Sequence, residues 1–347
     1  MDAAVICFTL NGYILAQKIK KLFDEKKDNA EIYTKSQYLK GFEGREVSVP
    51  LKDWAGEMFK TRDALVFIGA CGICVRSIAP FVGSKKTDPA VIVMDERGKY
   101  CIPLLSGHLG GANALAEELS LALGSQAVLT TATDVNGLFA VDVFAKENGL
   151  FISDMALAKE ISAALLSGQK AGFESEFPLK GNIPEELDGE DKSLPLGIYV
   201  GIYKNKSPFK KTLFLIPEVL CAGIGCRKGK SEEEIEGLYL QVLEEEGIFP
   251  EALCGAASID LKKDEAGLKA FSEKRKVEFT TYSAEELLKV RGDFSSSEFV
   301  SSVTGADNVC ERSAVLLSAG GRLIHKKTAR DGVTVALALK NKEIYFE

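Results

Sequence analysis

Short apolar strands alternating with amphipathic helices predict an α/β protein, with two α/β units of largely parallel sheet flanking a small middle domain. Three observations carry this. Runs such as 63-DALVFIGA-70 and 90-AVIVMD-95 are almost continuously apolar, the pattern of strands covered on both faces. Helical periodicity fills the gaps, as in 12-GYILAQKIKKLFDEKK-27, where Ile14, Leu15, Ile19, Leu22 and Phe23 share one face. The alternation lapses after residue 131 and resumes at 212. A chain of 347 residues holds two or three domains at ~150 residues each. The expected divisions are 1–131, 132–211 and 212–347.

In order, 3-AAVICFTL-10 reads as the first strand, and 72-GICVRSIAPFV-82 as a helix until Pro80 interferes. After a turn at Glu96–Lys99, the extended 100-YCIPLLS-106 runs into a glycine-rich turn and the helix of 109-LGGANALAEELS-120. The strand 126-QAVLTT-131 closes the first unit. A helix at 155-MALAKEISAALLSG-168 precedes the proline- and acid-rich 178-PLKGNIPEELDGEDKSLP-195, an exposed loop, and the basic turn 204-KNKSPFKK-211. Beyond it, 212-TLFLIPEVLCAGIG-225 reads as one strand interrupted by Pro217. Ser231 and Glu234 form a capping box opening the next helix. Strands 256-AASID-260 and 277-VEFTTYS-283 bracket the helix 264-DEAGLKAFSEKR-275. The helix 309-VCERSAVLLSAG-320 follows. Asp331–Gly332 then predicts a tight hairpin between 322-RLIHKKT-328 and 333-VTVALAL-339.

A net charge of −7 argues against a nucleic-acid binder. No leader pattern opens the chain, and no apolar run approaches the ~20 residues of a membrane span. A soluble, cytoplasmic protein is expected. The eight cysteines, at 7, 71, 74, 101, 221, 226, 254 and 310, are then reduced, most of them as small hydrophobes in apolar runs.

Four stretches invite chemistry. In 103-PLLSGHLGGANALA-116, Ser106, Gly107, Gly110 and Gly111 bring bare backbone to a helix start. Asn113 offers a donor and an acceptor, and His108, one of two histidines, titrates near neutrality as a base or acid. The bland reading is a structural histidine. The stretch 130-TTATDV-135 presents Thr131, Thr133 and Asp134, as ligand-facing groups or as a cap, at the end of a strand, where open parallel sheets collect ligands. In 223-GIGCRKG-229 the spacing fails the dinucleotide fingerprint. Gly223, Gly225, Arg227 and Lys228, with Lys230, still suit carboxylates or phosphates, or form a solvated turn. Finally, 71-CGIC-74 could be a redox pair but reads better as a glycine turn among buried small residues; no second such motif completes a zinc site, and no metal site is expected. His325, beside Lys326 and Lys327, reads as a surface residue.

Taken together, 68-IGACGICVRSIAP-80, 87-TDPAVIVMDERG-98, 103-PLLSGHLGGANALA-116, 129-LTTATDVNG-137, 223-GIGCRKG-229, 257-ASIDLKKDEAGL-268, 304-TGADNVCE-311 and 332-GVTVALA-338 resemble the cobalt-precorrin-5A hydrolases of anaerobic cobalamin (vitamin B12) biosynthesis. The resemblance spans both ends of the chain and is loosest in the middle. It implies a hydrolase that opens the δ-lactone of cobalt-precorrin-5A and releases the methylated meso carbon as acetaldehyde, giving cobalt-precorrin-5B. It implies no separate cofactor, since cobalt arrives inside the substrate. Its partner is that small molecule, with neither nucleic acid nor membrane; a homo-oligomer or contact with neighbouring pathway enzymes stays open. His108 and Asp134 become the expected proton-transfer groups, and Arg76, Arg227 and Lys228 the expected cations for substrate carboxylates. Glu311 joins the substrate-facing set, in a Glu311–Arg312 pair where the family pattern would have Glu–Pro. The competing readings are a tetrapyrrole escort without chemistry, a thiol oxidoreductase built on 71-CGIC-74 and, last, a nicotinamide dehydrogenase.

Overall fold

A computed structural model describes residues 1–84, 87–108, 110–131, 135–295 and 307–346. It falls into two units, Met1–Val143 and Phe144–Glu347. The α/β class and the largely parallel sheets are as the sequence predicts.

Unit 1 is built on β1 (Asp2–Cys7), α1 (Leu10–Glu25), β2 (Asn29–Thr34), β3 (Arg45–Glu46), α2 (Leu51–Thr61), β4 (Ala64–Ile68), α3 (Cys71–Ile78), β5 (Ala90–Met94), β6 (Tyr100–Leu105), α4 (Ala112–Leu123) and β7 (Gln126–Ala127). The sheet order is β3-β2-β1-β4-β5-β6-β7. Alternate residues of each strand serve opposite faces. Ala3, Val5 and Cys7 pack with Ile19 and Leu119 on one side, while Ala4 and Ile6 meet Trp54 and Met58 on the other. On α1, Leu15, Ile19 and Phe23 are buried as the periodicity requires, whereas Ile14 faces solvent.

The strands from β3 to β5 in that order are parallel, but β6 runs antiparallel to β5. The cause is the short link Asp95–Lys99. A parallel return needs a crossover of about a dozen residues. Asp95 instead clamps a turn, accepting from Arg97 N at 2.9 Å and Tyr100 N at 2.7 Å. The carboxyl end of β6 therefore lies at the amino-end edge of β5. The strand read over 126–131 is only Gln126–Ala127 here, paired parallel to β6.

The helix α5 (Val141–Glu147) spans the border between the units. Unit 2 opens with β8 (Leu150–Ile152), α6 (Met155–Leu166), β9 (Ala171–Ser175), β10 (Leu179–Lys180), β11 (Leu187–Asp188), β12 (Leu196–Val200) and β13 (Lys211–Pro217). One sheet has the order β11-β9-β12-β13-β8. Then come β14 (Leu220–Cys226), α7 (Glu232–Glu246), β15 (Leu253–Ile259), α8 (Ala266–Arg275), β16 (Glu278–Tyr282), α9 (Ala284–Lys289), α10 (Cys310–Leu317), β17 (Arg322–Arg330), β18 (Val333–Leu339) and β19 (Ile344–Tyr345). These form a second sheet of order β16-β15-β14-β18-β17, and β19 pairs with β10. The stretch read as one strand over 212–225 is thus two. Pro217 ends β13 in the first sheet, and β14 starts three residues later in the second. The Ser231–Glu234 capping box forms as expected. So does the β17–β18 hairpin, with Asp331 and Gly332 both at positive φ (49° and 80°).

Gly223 shows what the second sheet demands. A Cβ there would lie 1.8 Å from the Cys310 carbonyl oxygen, because α10 rests directly on β14. Gly223→Ala should cost about 3 kcal/mol by overpacking, read as a lower urea midpoint at unchanged slope.

Candidate active site

The turn joining β6 to α4 is held from within. Ser106 sits at φ 58°, a left-handed conformation rare outside glycine. It is kept there by its Oγ, which donates to the Asp88 carbonyl at 3.0 Å. The first N–H groups of α4 are already engaged: Ala112 N donates to Ser106 O (3.1 Å) and Asn113 N to Gly107 O (2.9 Å). Gly111, at φ 83°, donates to His108 O at 2.9 Å. Its N–H is thus spent closing the turn.

The glycines have a similar explanation. At Gly110 a Cβ would come within 2.3 Å of the Ser106 Cβ, and at Gly107 within 2.6 Å of the Asn113 Oδ1. Both are required because the loop folds on itself. Asn113, buried, donates from Nδ2 to Thr131 Oγ1 at 3.2 Å. The turn and the segment after β7 therefore meet. They do so at the edge where β6 ends, not at the carboxyl ends of β1, β4 and β5.

His108 is neither sealed in the interior nor on the open surface; 16 % of its side chain is exposed. Its Nδ1 lies 3.4 Å from Oδ1 of Asp142, in the first turn of α5. Sequence reading missed Asp142, whose only signal was an acidic residue at a helix start. A carboxylate facing Nδ1 favours the proton on that nitrogen and directs the lone pair to Nε2. Asp134 and Thr133 lie outside the described residues.

Arg76 belongs to the other edge of the sheet. It is exposed on α3, which begins at the carboxyl end of β4, and its guanidinium folds back towards Gly72 at the helix start. The neighbouring Cys74 is buried, which pushes its thiol up to about 12, while Cys71 is exposed. Of the buried small residues expected at 71-CGIC-74, only Cys74 is one, and the stretch is the first turn of α3 rather than a glycine turn.

In unit 2, Arg227 and Lys228 are exposed just past β14. Arg227 N donates to Gly332 O at 2.8 Å, anchoring the turn to the hairpin. Gly225 accommodates the Thr334 hydroxyl, which donates to its carbonyl at 3.2 Å. The turn does take a carboxylate, from the chain itself: Gly229 N donates to Glu265 Oε1 at 2.6 Å. Lys262 and that N–H hold the Glu265 carboxyl below the usual carboxylate range. Gly223, buried against α10, has no side open to a ligand.

Glu311 was expected to face substrate; it is 0 % exposed. Its oxygens accept from Ser295 N (2.9 Å), Ser295 Oγ (2.8 Å) and Lys327 N (2.8 Å). Burial alone would raise its pKa, but these donors and Asn308 outweigh it and lower the value. Arg312 beside it donates to Asp307 (2.9 Å) and to the Val290 carbonyl (2.7 Å) and lies over the Phe294 ring. This pair is a structural knot rather than a ligand surface.

His325 also departs from expectation. Only 13 % of its side chain is exposed. Its Nδ1 is 2.8 Å from Glu246 Oε1 and its Nε2 is 2.9 Å from Thr328 Oγ1. A carboxylate, an imidazole and a hydroxyl thus stand in the order that a proton relay would require. Among the described residues no three His, Cys, Asp or Glu side chains cluster as a metal site, and no helix is long and apolar enough to cross a membrane.

Residues 53–134 match the cobalamin synthesis G N-terminal family, 139–217 the cobalamin biosynthesis central region, and 220–338 the cobalamin synthesis G C-terminus. The chain is 34 % identical to the cobalt-precorrin-5A hydrolase of Salmonella typhimurium, covering 97 % of each chain. It is 31 % identical to the Priestia megaterium enzyme of that name, covering 97 % of this chain and 95 % of the relative. A solved cobalamin biosynthesis protein G homologue from Sulfolobus solfataricus is 23 % identical, with 98 % of this chain and 97 % of that one covered at a TM-score of 0.39. With all three family regions present in order and relatives above 30 % identity over nearly its whole length, the chain belongs to the cobalt-precorrin-5A hydrolase (cobalamin synthesis G) family.

Proposed function

We propose that this chain is a hydrolase of cobalamin biosynthesis that opens the δ-lactone of cobalt-precorrin-5A and releases the C20 fragment as acetaldehyde, leaving cobalt-precorrin-5B. The observation that carries this is the full-length match to the Salmonella typhimurium hydrolase. Within unit 1, the reading assigns His108 as the base. Its Nε2 takes a proton from water as the oxygen adds to the lactone carbonyl, and Asp142 stabilises the resulting imidazolium. The lactone C–O bond breaks as the adduct collapses, the bond from C20 to the ring then breaks to release acetaldehyde, and the imidazolium gives its proton to the ring carbon left behind. Within unit 2, Arg227 and Lys228 are exposed cations suited to carboxylates. Cobalt enters with the substrate, and the proposal gives the chain no cofactor of its own.

A second reading assigns the base to His325, supported by the Glu246–His325–Thr328 relay. Incubation with cobalt-precorrin-5A tests the function itself. Lactone loss with stoichiometric acetaldehyde is expected. Tight binding of the tetrapyrrole without acetaldehyde would make the protein an escort instead.

A further inference from the structure

β14 and β15 bring together two thiols that the hydrolase reading does not use. The Sγ atoms of Cys221 and Cys254 are 3.6 Å apart. The strand register slips at this point: Leu220 faces Leu253, but Cys221 faces Gly255. Cys254 is therefore the extra residue of a bulge, and bulges re-aim side chains. Here the bulge turns the Cys254 thiol towards Cys221. Cys254 also lines an open cavity of about 500 Å³ with Glu218, Lys274, Arg275 and Lys276, whereas Cys221 is completely buried.

The electrostatics separate this pair from the other cysteines. Burial pushes the Cys7, Cys74 and Cys310 thiols up to about 12, so they stay protonated. Cys254 moves the other way, below the ordinary thiol value. The hydrogen bond from the Cys221 thiol outweighs burial, and the Lys340 ammonium adds to it. Cys221 keeps its proton, its pKa raised by the same hydrogen bond and by burial. One thiol is thus a partly exposed nucleophile and the other a sealed donor beside it.

We infer that Cys254 and Cys221 form a peroxide-oxidised dithiol site, with Cys254 attacking and Cys221 resolving. The Cys254 sulfur displaces water from hydrogen peroxide, or an alcohol from an organic hydroperoxide; an S–O bond forms as the O–O bond breaks. Cys221 then attacks the sulfenic sulfur, and the S–S bond forms as a second water leaves. Two thiols lose two electrons and two protons, and the peroxide gains both. The sulfurs need only a small side-chain movement to reach the ~2.05 Å bond. Two molecules of an external thiol restore the dithiol by exchange, through a mixed disulfide, and leave as their own disulfide.

The test is peptide mapping of the native full-length chain after exposure to a few equivalents of hydrogen peroxide and alkylation. A Cys221–Cys254 cross-linked peptide is expected, formed about tenfold faster than oxidation of Cys7 or Cys101. In Cys221→Ser, dimedone should trap a sulfenic acid on Cys254. An unmodified Cys254, a sulfinic acid there without cross-link, or a disulfide confined to Cys71 and Cys74 would each overturn the proposal. The wild-type map reads out independently of whether the variant folds, and of whether the chain is a lactone hydrolase.

Discussion

His108→Ala should open the cobalt-precorrin-5A lactone about 10² to 10⁴ times more slowly than the wild type, the usual contribution of a positioned acid–base group. The loss should appear in the single-turnover rate. Binding should change little, because the imidazole acts on water rather than on the substrate's carboxylates. The paired control is His325→Ala. Only two histidines exist in the chain, so the two variants divide the question cleanly. If His108 is the base, His325→Ala keeps near-wild-type chemistry and loses some stability, since Glu246 and Thr328 lose their shared partner. The reverse result, slow chemistry in His325→Ala and normal chemistry in His108→Ala, would move the mechanism to the relay in unit 2. Circular dichroism of both proteins checks that each is folded.

The second large effect concerns stability. Glu311→Ala should cost about 3 kcal/mol, because three half-buried donors from Ser295 and Lys327 lose the buried carboxylate that receives them. The pH dependence has a definite sign. The folded-state pKa lies below the ordinary glutamate value, so the unfolded chain binds the proton more readily. The stabilisation is complete above that ordinary value, about 4.3, and disappears as pH falls through the lower, folded-state value. Urea titrations at pH 7 and in the acid range should show the gap between wild type and Glu311→Ala shrinking with acid. Glu311→Gln keeps an acceptor, so it should lose less at pH 7 and show a flatter acid limb.

The architecture was legible wherever one local signal sufficed. The apolar residues of β1 and all of β4 and β5 are buried, the capping box begins α7, and Asp331–Gly332 turns the last hairpin. What escaped needed a partner distant in sequence. The direction of β6 was implicit in the brevity of Asp95–Lys99, but only pairing to β5 reveals which edge receives the following turn. The break at Pro217 was visible as a proline. That it separates two sheets depends on which strands β13 and β14 join. The glycines were correctly singled out as sites of close approach, yet a sequence does not say what approaches. At Gly110 it is Ser106, and at Gly223 the backbone of α10. His325 looked exposed because its neighbours are lysines; it is paired with Glu246, at the end of a helix distant in sequence.

The reversal of β6 supplies a ruler. β5 is five residues long, so the two rims of the sheet stand about 17 Å apart at ~3.3 Å per residue. Arg76 reaches one rim and His108 the other. A carboxylate in direct contact with the His108 imidazole therefore does not also pair with a guanidinium that stays folded against Gly72.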